Sequence, residues 1–254
     1  MFFKGFIYIC TGNLIPYNLK PMKRHIPNAI TCANLFSGCI GIVFAFKGEL
    51  ETAAYFVILS GIFDFFDGMV ARLLNVKSAI GKDLDSLADM VSFGFLPGII
   101  MFQLLKTSDY TSDYLPYLGF LITVFSALRL AKFNNDVRQT EDFIGLNTPM
   151  NTLFICSLPF IAADYPQVIG STILLVAITA ITSFLLVSEI KIFSLKFSDL
   201  SWAKNKIKFI FLILSAILIA VLQFAAIPFV LVLYITLSIL HFRGIANNDG
   251  QASK

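Results

Sequence analysis

Four aspartates, arranged as two pairs, are the residues of this sequence best suited to catalysis. Asp64 and Asp67 stand three positions apart in an apolar segment, and Asp85 and Asp89 stand four positions apart further along. Residues at these spacings share one face of a helix, so each pair would present two carboxylates on one side. Carboxylate oxygens are the ligands that Mg²⁺ prefers. The spacing therefore predicts a divalent metal site of the kind that assists phosphoryl transfer.

Gly68 and Arg72 fall on the same predicted face as the first acidic pair. A glycine lets a substrate approach the helix backbone closely, and an arginine binds phosphate through paired hydrogen bonds. Together with the aspartates, these residues indicate a site for a pyrophosphate. Two alternatives remain open. The carboxylates could be solvated charges near helix ends, as we expect for Asp83, or they could line a cation transport path, where Arg72 would repel the cargo.

The elements that position these residues must lie in a membrane. The 254 residues are 57% hydrophobic and only 14% charged, whereas soluble proteins carry about 25% charged residues. A disordered chain is excluded by the 27 phenylalanines, because disordered segments lack such apolar content. The four cysteines have no metal-type or disulfide spacing, so we expect buried hydrophobic residues.

The hydrophobic runs predict an all-α fold, a polytopic transmembrane helical bundle of about eight spans with both termini in the cytoplasm. A span needs about 20 apolar residues. This topology places 17 of the 19 lysines and arginines on the cytoplasmic side, as the positive-inside rule requires. The predicted spans are residues 28–46, 51–74, 84–105, 114–133, 149–163, 167–188, 207–224 and 226–242.

The chain is predicted to have three parts, which are an N-terminal cytoplasmic or interfacial segment (1–27), a transmembrane domain (28–243) and a C-terminal tail (244–254). The basic cytoplasmic face suits anionic membrane lipids. We expect no nucleic-acid partner, since the chain has no soluble module in which aromatic and basic residues alternate.

The spacing of the acidic residues resembles the signature of the CDP-alcohol phosphatidyltransferase family. All eight fixed positions of that signature are present, namely Asp64, Asp67, Gly68, Ala71, Arg72, Gly81, Asp85 and Asp89. The resemblance implies that residues 28–243 form a phosphatidyltransferase domain that takes CDP-diacylglycerol as donor. It also implies a homodimer, and it favours a prokaryotic inner membrane with the active site at the cytoplasmic face.

The resemblance further implies a role for individual residues. Asp64, Asp67 and Asp85 would be ligands of a two-ion Mg²⁺ or Mn²⁺ site, and Asp89 would be both the last metal-site carboxylate and the catalytic base. The residues implied to bind the CDP-lipid are Asn28, Thr31, Asp67, Gly68, Arg72 and Ser78. For Asn28 and Thr31 the alternative is helix capping, and for Ser78 it is a simple polar loop residue.

Three further segments resemble the branch of the family that uses serine as acceptor. They are residues 26–38, residues 89–94, and residues 126–134 with the following Phe143-x-Gly145-Leu146. One departure is Asn147, where that branch has a proline. The branch implies that L-serine and CDP-diacylglycerol give phosphatidylserine and CMP. The same chemistry with glycerol 3-phosphate or inositol phosphate is the alternative, and a cation transporter is the non-enzyme alternative.

Arg129, at the cytoplasmic end of the fourth predicted span, is a candidate for binding the serine carboxylate or a lipid phosphate. Arginine suits both anions, because its guanidinium pairs with two oxygens at once. A basic residue that only anchors the span at the cytoplasmic surface is an equal alternative.

Overall fold

Helices dominate the computed structural model, which describes residues 25–76, 78–110, 112–136, 142–195 and 201–252. The predicted N-terminal segment 1–27 therefore lies outside the described residues except at its end. The α-helices are α1 (His25–Phe46), α2 (Leu50–Leu73), α3 (Ala79–Asp89), α4 (Leu96–Lys106), α5 (Phe120–Asn135), α6 (Thr148–Asp164), α7 (Pro166–Ile169), α8 (Thr172–Val187), α9 (Trp202–Leu222) and α10 (Ala226–Ala252).

Two short strands accompany the helices. Strand β1 (Phe143–Ile144) pairs antiparallel with β2 (Lys191–Ile192), so that Phe143 lies opposite Ile192. The pair joins the segment after α5 to the segment after α8. Two-residue strands have no periodicity to detect, which is why the all-α prediction did not include them.

Five helical stretches of the described chain are long and apolar enough to cross a membrane. They are His25–Phe46, Leu50–Leu73, Ala79–Lys106, Leu115–Asn135 and Asn205–Gly244. This agrees with the predicted helical membrane bundle, whereas the count of eight spans and the orientation of the termini stay predictions.

The difference in span count arises in the second half of the chain. Helices α6 and α8 have only 17 and 16 residues. The last two predicted spans fall within the single apolar stretch Asn205–Gly244. There α9 and α10 are separated by a 3₁₀ turn at Gln223–Ala225, slightly earlier than the turn that the sequence suggested.

The third membrane stretch has three parts and starts earlier than predicted. Helix α3 begins at Ala79 rather than near residue 84, because the Ser78 hydroxyl caps it by accepting a hydrogen bond from the Gly81 amide at 2.9 Å. A π-helical turn, Met90–Phe95, then joins α3 to α4. Such turns are rare and often occur at functional sites.

Helix α1 packs along α2 and also contacts α3 and the π-helical turn. A glycine allows the close approach to the π-helical turn, since a Cβ atom added to Gly38 would lie 3.1 Å from the Ser92 Cα atom. Small residues let membrane helices approach each other in this way. As a result, the first half of α1 lies beside the acidic segments of both α2 and α3.

Much of the outer surface is apolar, as a membrane bundle requires. Ile173 and Phe184 on α8 and Ile217 on α9 are each more than half exposed. Cys32 and Cys39 on α1 are also exposed, whereas Cys156 is buried. The expectation of buried cysteines is therefore wrong for those two, because a hydrophobic side chain that faces lipid needs no protein around it.

The end of α4 away from the aspartates is tied to the start of α8. The Asp109 carboxylate accepts hydrogen bonds from the Thr172 amide at 2.9 Å and the Thr172 hydroxyl at 2.6 Å. The Thr172 hydroxyl is the main reason that the pKa of the exposed Asp109 lies below its usual value. This contact holds the two helices together outside the membrane-spanning segments.

Candidate active site

Three of the four predicted aspartates converge between α2 and α3. Carboxylate oxygens of Asp64, Asp67 and Asp85 lie within 4.8 Å of one another. Asp67 is buried and the other two are half-buried. Asp64 is also within hydrogen-bonding range of Asp89, which places the fourth carboxylate directly beside the three. An all-oxygen set of like charges fits a hard divalent cation.

A threonine on α1 holds one of these carboxylates. The Thr31 hydroxyl donates a hydrogen bond of 2.6 Å to Asp67 Oδ2 and lies 3.1 Å from the Pro27 carbonyl. A hydroxyl has one hydrogen to donate, and bonds to a carboxylate are the stronger ones. Thr31, which the family resemblance implied for CDP-lipid binding, therefore also positions a candidate metal ligand.

Asn34 is a site residue that the sequence analysis did not single out. Its side-chain amide donates to Asp89 Oδ1 at 3.4 Å. Its backbone carbonyl accepts hydrogen bonds from the hydroxyls of Ser60 and Ser92, both at 3.2 Å. Asn34 is fully buried. Its spacing of three residues from Thr31 on an apolar helix is the signal that could have identified it.

A cavity of about 510 Å³ opens beside the aspartates, within the range of about 300–1,000 Å³ that is usual for ligand sites. Residues of α1, α2, α3 and the α2–α3 connection line it. Six predicted site residues contribute to the lining, namely Asn28, Thr31, Asp67, Gly68, Ser78 and Asp85. Lys82 adds a positive charge to the same wall.

The remaining predicted residues lie around this cavity rather than in its lining. Asp64 belongs to the carboxylate cluster and Asp89 adjoins it, but neither lines the cavity. Arg72 is exposed, and its Nε donates to the Gly68 carbonyl at 3.0 Å. Arg129 is buried on α5, with its guanidinium carbon 4.7 Å from the centre of the Phe133 ring. Because Arg129 is buried, its position differs from that of a solvated surface anchor.

A known protein family matches most of the chain. The family model described as CDP-alcohol phosphatidyltransferase matches residues 24–243. The chain belongs to the CDP-alcohol phosphatidyltransferase family. It is thus an enzyme family member whose acidic signature residues form a cluster in three dimensions.

The curated relatives of the chain include enzymes named for the transfer of a phosphatidyl group to serine. The CDP-diacylglycerol–serine O-phosphatidyltransferase of Bacillus subtilis is 34% identical over 172 residues, which are 66% of this chain and 89% of the relative. The enzyme of the same name from Saccharomyces cerevisiae is 41% identical over 152 residues, or 54% of each chain. The archaetidylserine synthase of Methanothermobacter thermautotrophicus is 29% identical over 168 residues, which are 65% of this chain and 68% of the relative.

Two glycines of the phosphatidyltransferase signature should respond differently to alanine. A Cβ atom on Gly68 meets nothing within 4 Å, whereas one on Gly81 would lie 2.9 Å from Ser78 Oγ and 3.1 Å from Asn28 Oδ1. We expect Gly68→Ala to fold normally and to raise the KM for the CDP-lipid, because its methyl group enters the cavity. Gly81→Ala should be less stable than Gly68→Ala by about 1 kcal/mol, because both variants gain helix propensity and only Gly81→Ala disturbs the helix cap.

Thermal unfolding and CDP-lipid titration of both variants test this pair. The matched comparison is between the two substitutions themselves, since each adds one methyl group to a glycine of the same signature. Equal stability of the two variants would contradict the expectation that only the alanine at position 81 disturbs a helix cap.

Proposed function

We propose that this protein is an integral-membrane enzyme that transfers the phosphatidyl group of CDP-diacylglycerol to the hydroxyl of L-serine, giving phosphatidylserine and CMP. The observation that carries the proposal is the cluster of Asp64, Asp67 and Asp85, with oxygens within 4.8 Å of one another. Two of its members, Asp67 and Asp85, line the same cavity as Gly68 and Ser78. The names of the curated relatives support serine as acceptor.

The carboxylate cluster would hold the metal ions of the reaction. Asp64, Asp67 and Asp85 are the proposed ligands of a two-ion Mg²⁺ or Mn²⁺ site, and Asp89 adjoins them. When bound, these ions would neutralise charge on the pyrophosphate and on the departing CMP. Thr31 supports this site by fixing the orientation of Asp67.

The cavity would take the nucleotide end of the donor lipid. Asn28, Asp67 and Ser78 place polar atoms in its wall, and Gly68 leaves space for the ligand beside α2. Arg72 follows one turn after Gly68 and is exposed, so its guanidinium can turn from the backbone carbonyl to the phosphates. Bidentate pairing with phosphate would then orient the donor.

Asp89 would act as the general base. The serine hydroxyl gives its proton to the Asp89 carboxylate while its oxygen bonds to the phosphorus of the phosphatidyl group, and the bond from that phosphorus to CMP breaks. A base must lie within hydrogen-bonding reach of the proton that it takes, and the contact with Asn34 holds Asp89 in one orientation for this purpose. No covalent enzyme intermediate is needed.

The charge distribution supports a location for the site. We place the active site at the cytoplasmic face of the membrane, because the predicted cytoplasmic loops carry most of the basic residues. The family resemblance favours a prokaryotic inner membrane. We also expect a homodimer, as the family resemblance implies.

A CMP-release assay tests the proposed function. The purified protein is incubated with CDP-diacylglycerol, Mn²⁺ or Mg²⁺, and one of three acceptors, which are L-serine, glycerol 3-phosphate or inositol phosphate. We expect release with serine and none after chelation of the metal. Release with a phosphorylated acceptor alone would contradict the assignment of serine, and release with none of the three would contradict phosphatidyl transfer to these acceptors.

A further inference from the structure

Helices α5 and α6 carry buried polar side chains that have no hydrogen-bond partner among the described residues. The atoms concerned are Ser126 Oγ, Thr148 Oγ1, both polar atoms of the Asn151 side chain, and Arg129 Nε. Ser126, Thr148 and Asn151 have no solvent exposure at all. Each buried polar group without a partner costs about 1–3 kcal/mol, so packing alone does not account for this group.

These atoms flank the π-helical turn from two sides. On α6, the Thr152 hydroxyl donates to the Phe93 carbonyl at 2.6 Å. On α5, Ser126 Cβ would lie 3.2 Å from a Cβ atom added to Gly94. Thr148 and Asn151 are spaced like neighbours on one helix face, and so are Ser126 and Arg129. Both helices therefore pack on the same segment, Met90–Phe95, with the faces that carry these polar residues.

This segment begins at the residue that follows Asp89. Arg129 lies one turn after Ser126 on α5 and is also buried. The cavity proposed for the donor, by contrast, is lined by residues of α1, α2 and α3 and their connection. Asp89 is the last residue of α3, a helix that lines the donor cavity, and it directly precedes the π-helical turn on which α5 and α6 pack. A base that serves both substrates would occupy such a position.

We propose that Ser126, Thr148 and Asn151 form the subsite for the polar head of the acceptor and that Asn151 determines its specificity. This inference rests on the proposed function for the identity of the acceptor. The Asn151 amide can donate to a carboxylate and its carbonyl can accept from an ammonium group. The hydroxyls of Ser126 and Thr148 provide further donors and acceptors on either side.

The charge of the subsite matches a zwitterionic amino acid. Its three side chains are neutral, and Arg129, one turn from Ser126, adds one positive charge. A dianionic phosphate would need a surplus of cations, since arginine and lysine are the residues that recognise phosphate. The subsite therefore favours serine over a phosphorylated acceptor.

Serine binding to three variants tests the subsite. Ser126→Ala and Thr148→Val remove polar atoms with little change of volume, and Asn151→Leu removes them while keeping the number of heavy atoms. In calorimetric titrations with serine, turnover is prevented by using Mn²⁺ and CDP, which carries no phosphatidyl group. We expect Asn151→Leu to weaken serine binding by about tenfold or more, because it removes hydrogen bonds to charged groups worth about 1.5–3 kcal/mol. The hydroxyl variants should weaken binding less, and the affinity for CDP-diacylglycerol should not change.

Ser215→Ala is the matched control. Ser215 on α9 is also buried with an unpartnered hydroxyl, but α9 packs on α10 rather than on the π-helical turn. Serine affinity should be unchanged in this variant. Ser126→Ala and Thr148→Val keep the inference testable if Asn151→Leu does not fold, as judged by gel filtration and thermal unfolding.

The results separate this inference from the proposed function. Serine binding that is equal in the parent and in the folded variants, or absent in the parent, overturns the subsite, and the polar atoms would then hold structural water only. The proposed function is judged instead by CMP release from the unsubstituted protein. Release with serine together with unchanged binding in the variants would leave the function standing and remove the subsite.

Discussion

Asp85→Asn is expected to abolish phosphatidyl transfer and, in the absence of metal, to make the protein more stable to heat. The oxygens of Asp85 lie within 4.8 Å of those of Asp64 and Asp67. Two like charges about 4 Å apart repel by about 4 kcal/mol at the effective dielectric constant typical near a protein surface. An asparagine keeps the shape and removes one charge, so the metal-free fold should gain stability while the metal site loses a ligand.

Metal should stabilise Asp85→Asn less than it stabilises the unsubstituted protein. A ligand present at 100 times its Kd stabilises the protein to which it binds by about 2.7 kcal/mol, so Mn²⁺ should raise the Tm of the unsubstituted protein and have little effect on Asp85→Asn. Thermal unfolding in detergent, with chelator and with Mn²⁺, measures both changes. Asp83→Asn is the matched control, because Asp83 is on the same helix but exposed. A lower metal-free Tm in Asp85→Asn would argue against the carboxylate cluster as a source of repulsion.

Asp89→Asn is expected to lower kcat by about 10²–10⁴-fold, the usual contribution of a general base, while CDP-diacylglycerol still binds. The amide cannot take the serine proton, but it preserves the shape of the carboxylate and can still accept a hydrogen bond from Asn34. CMP release and CDP-diacylglycerol titration measure the two properties separately. Normal turnover would exclude Asp89 as the base, and loss of donor binding would make it a metal ligand instead.

Asn34→Ala provides the comparison for this second prediction. Asn34 contacts Asp89 but has no proposed contact with either substrate, so its loss should reduce kcat less than Asp89→Asn does and leave the KM for the donor unchanged. A loss as large as that of Asp89→Asn would mean that Asn34 does more than position the base.

The acidic cluster could be predicted from the sequence because it depends on local spacing. Asp64 and Asp67 share a face of α2, Asp85 and Asp89 share a face of α3, and a short connection brings the two helices together. The membrane location was equally predictable, since it follows from hydrophobic content summed over long segments. Both properties depend on features that are visible within a window of a few helical turns.

The contacts made by α1 could not be predicted in the same way. The bonds from Thr31 to Asp67 and from Asn34 to Asp89 join residues 36 and 55 positions apart, and no periodicity indicates which faces of separate helices meet. The burial of Arg129 also depends on how α5 packs. Asn147, which departs from the pattern of the serine branch, caps α6 by accepting a hydrogen bond from the Met150 amide at 2.8 Å, a role that proline cannot fill.

The π-helical turn Met90–Phe95 sets the rotational phase between the two halves of the third membrane stretch. One extra residue in a helical turn rotates everything before it by about 100° relative to everything after it. Helix α4 packs into the core through a face that includes the buried Leu96 and Ile100, whereas α3 directs Asp85 toward α2. A regular helix of this sequence could orient either the buried face of α4 toward the membrane core or Asp85 toward α2. It could not do both. The irregular turn thus makes the packing of the membrane core compatible with the direction in which the carboxylates point.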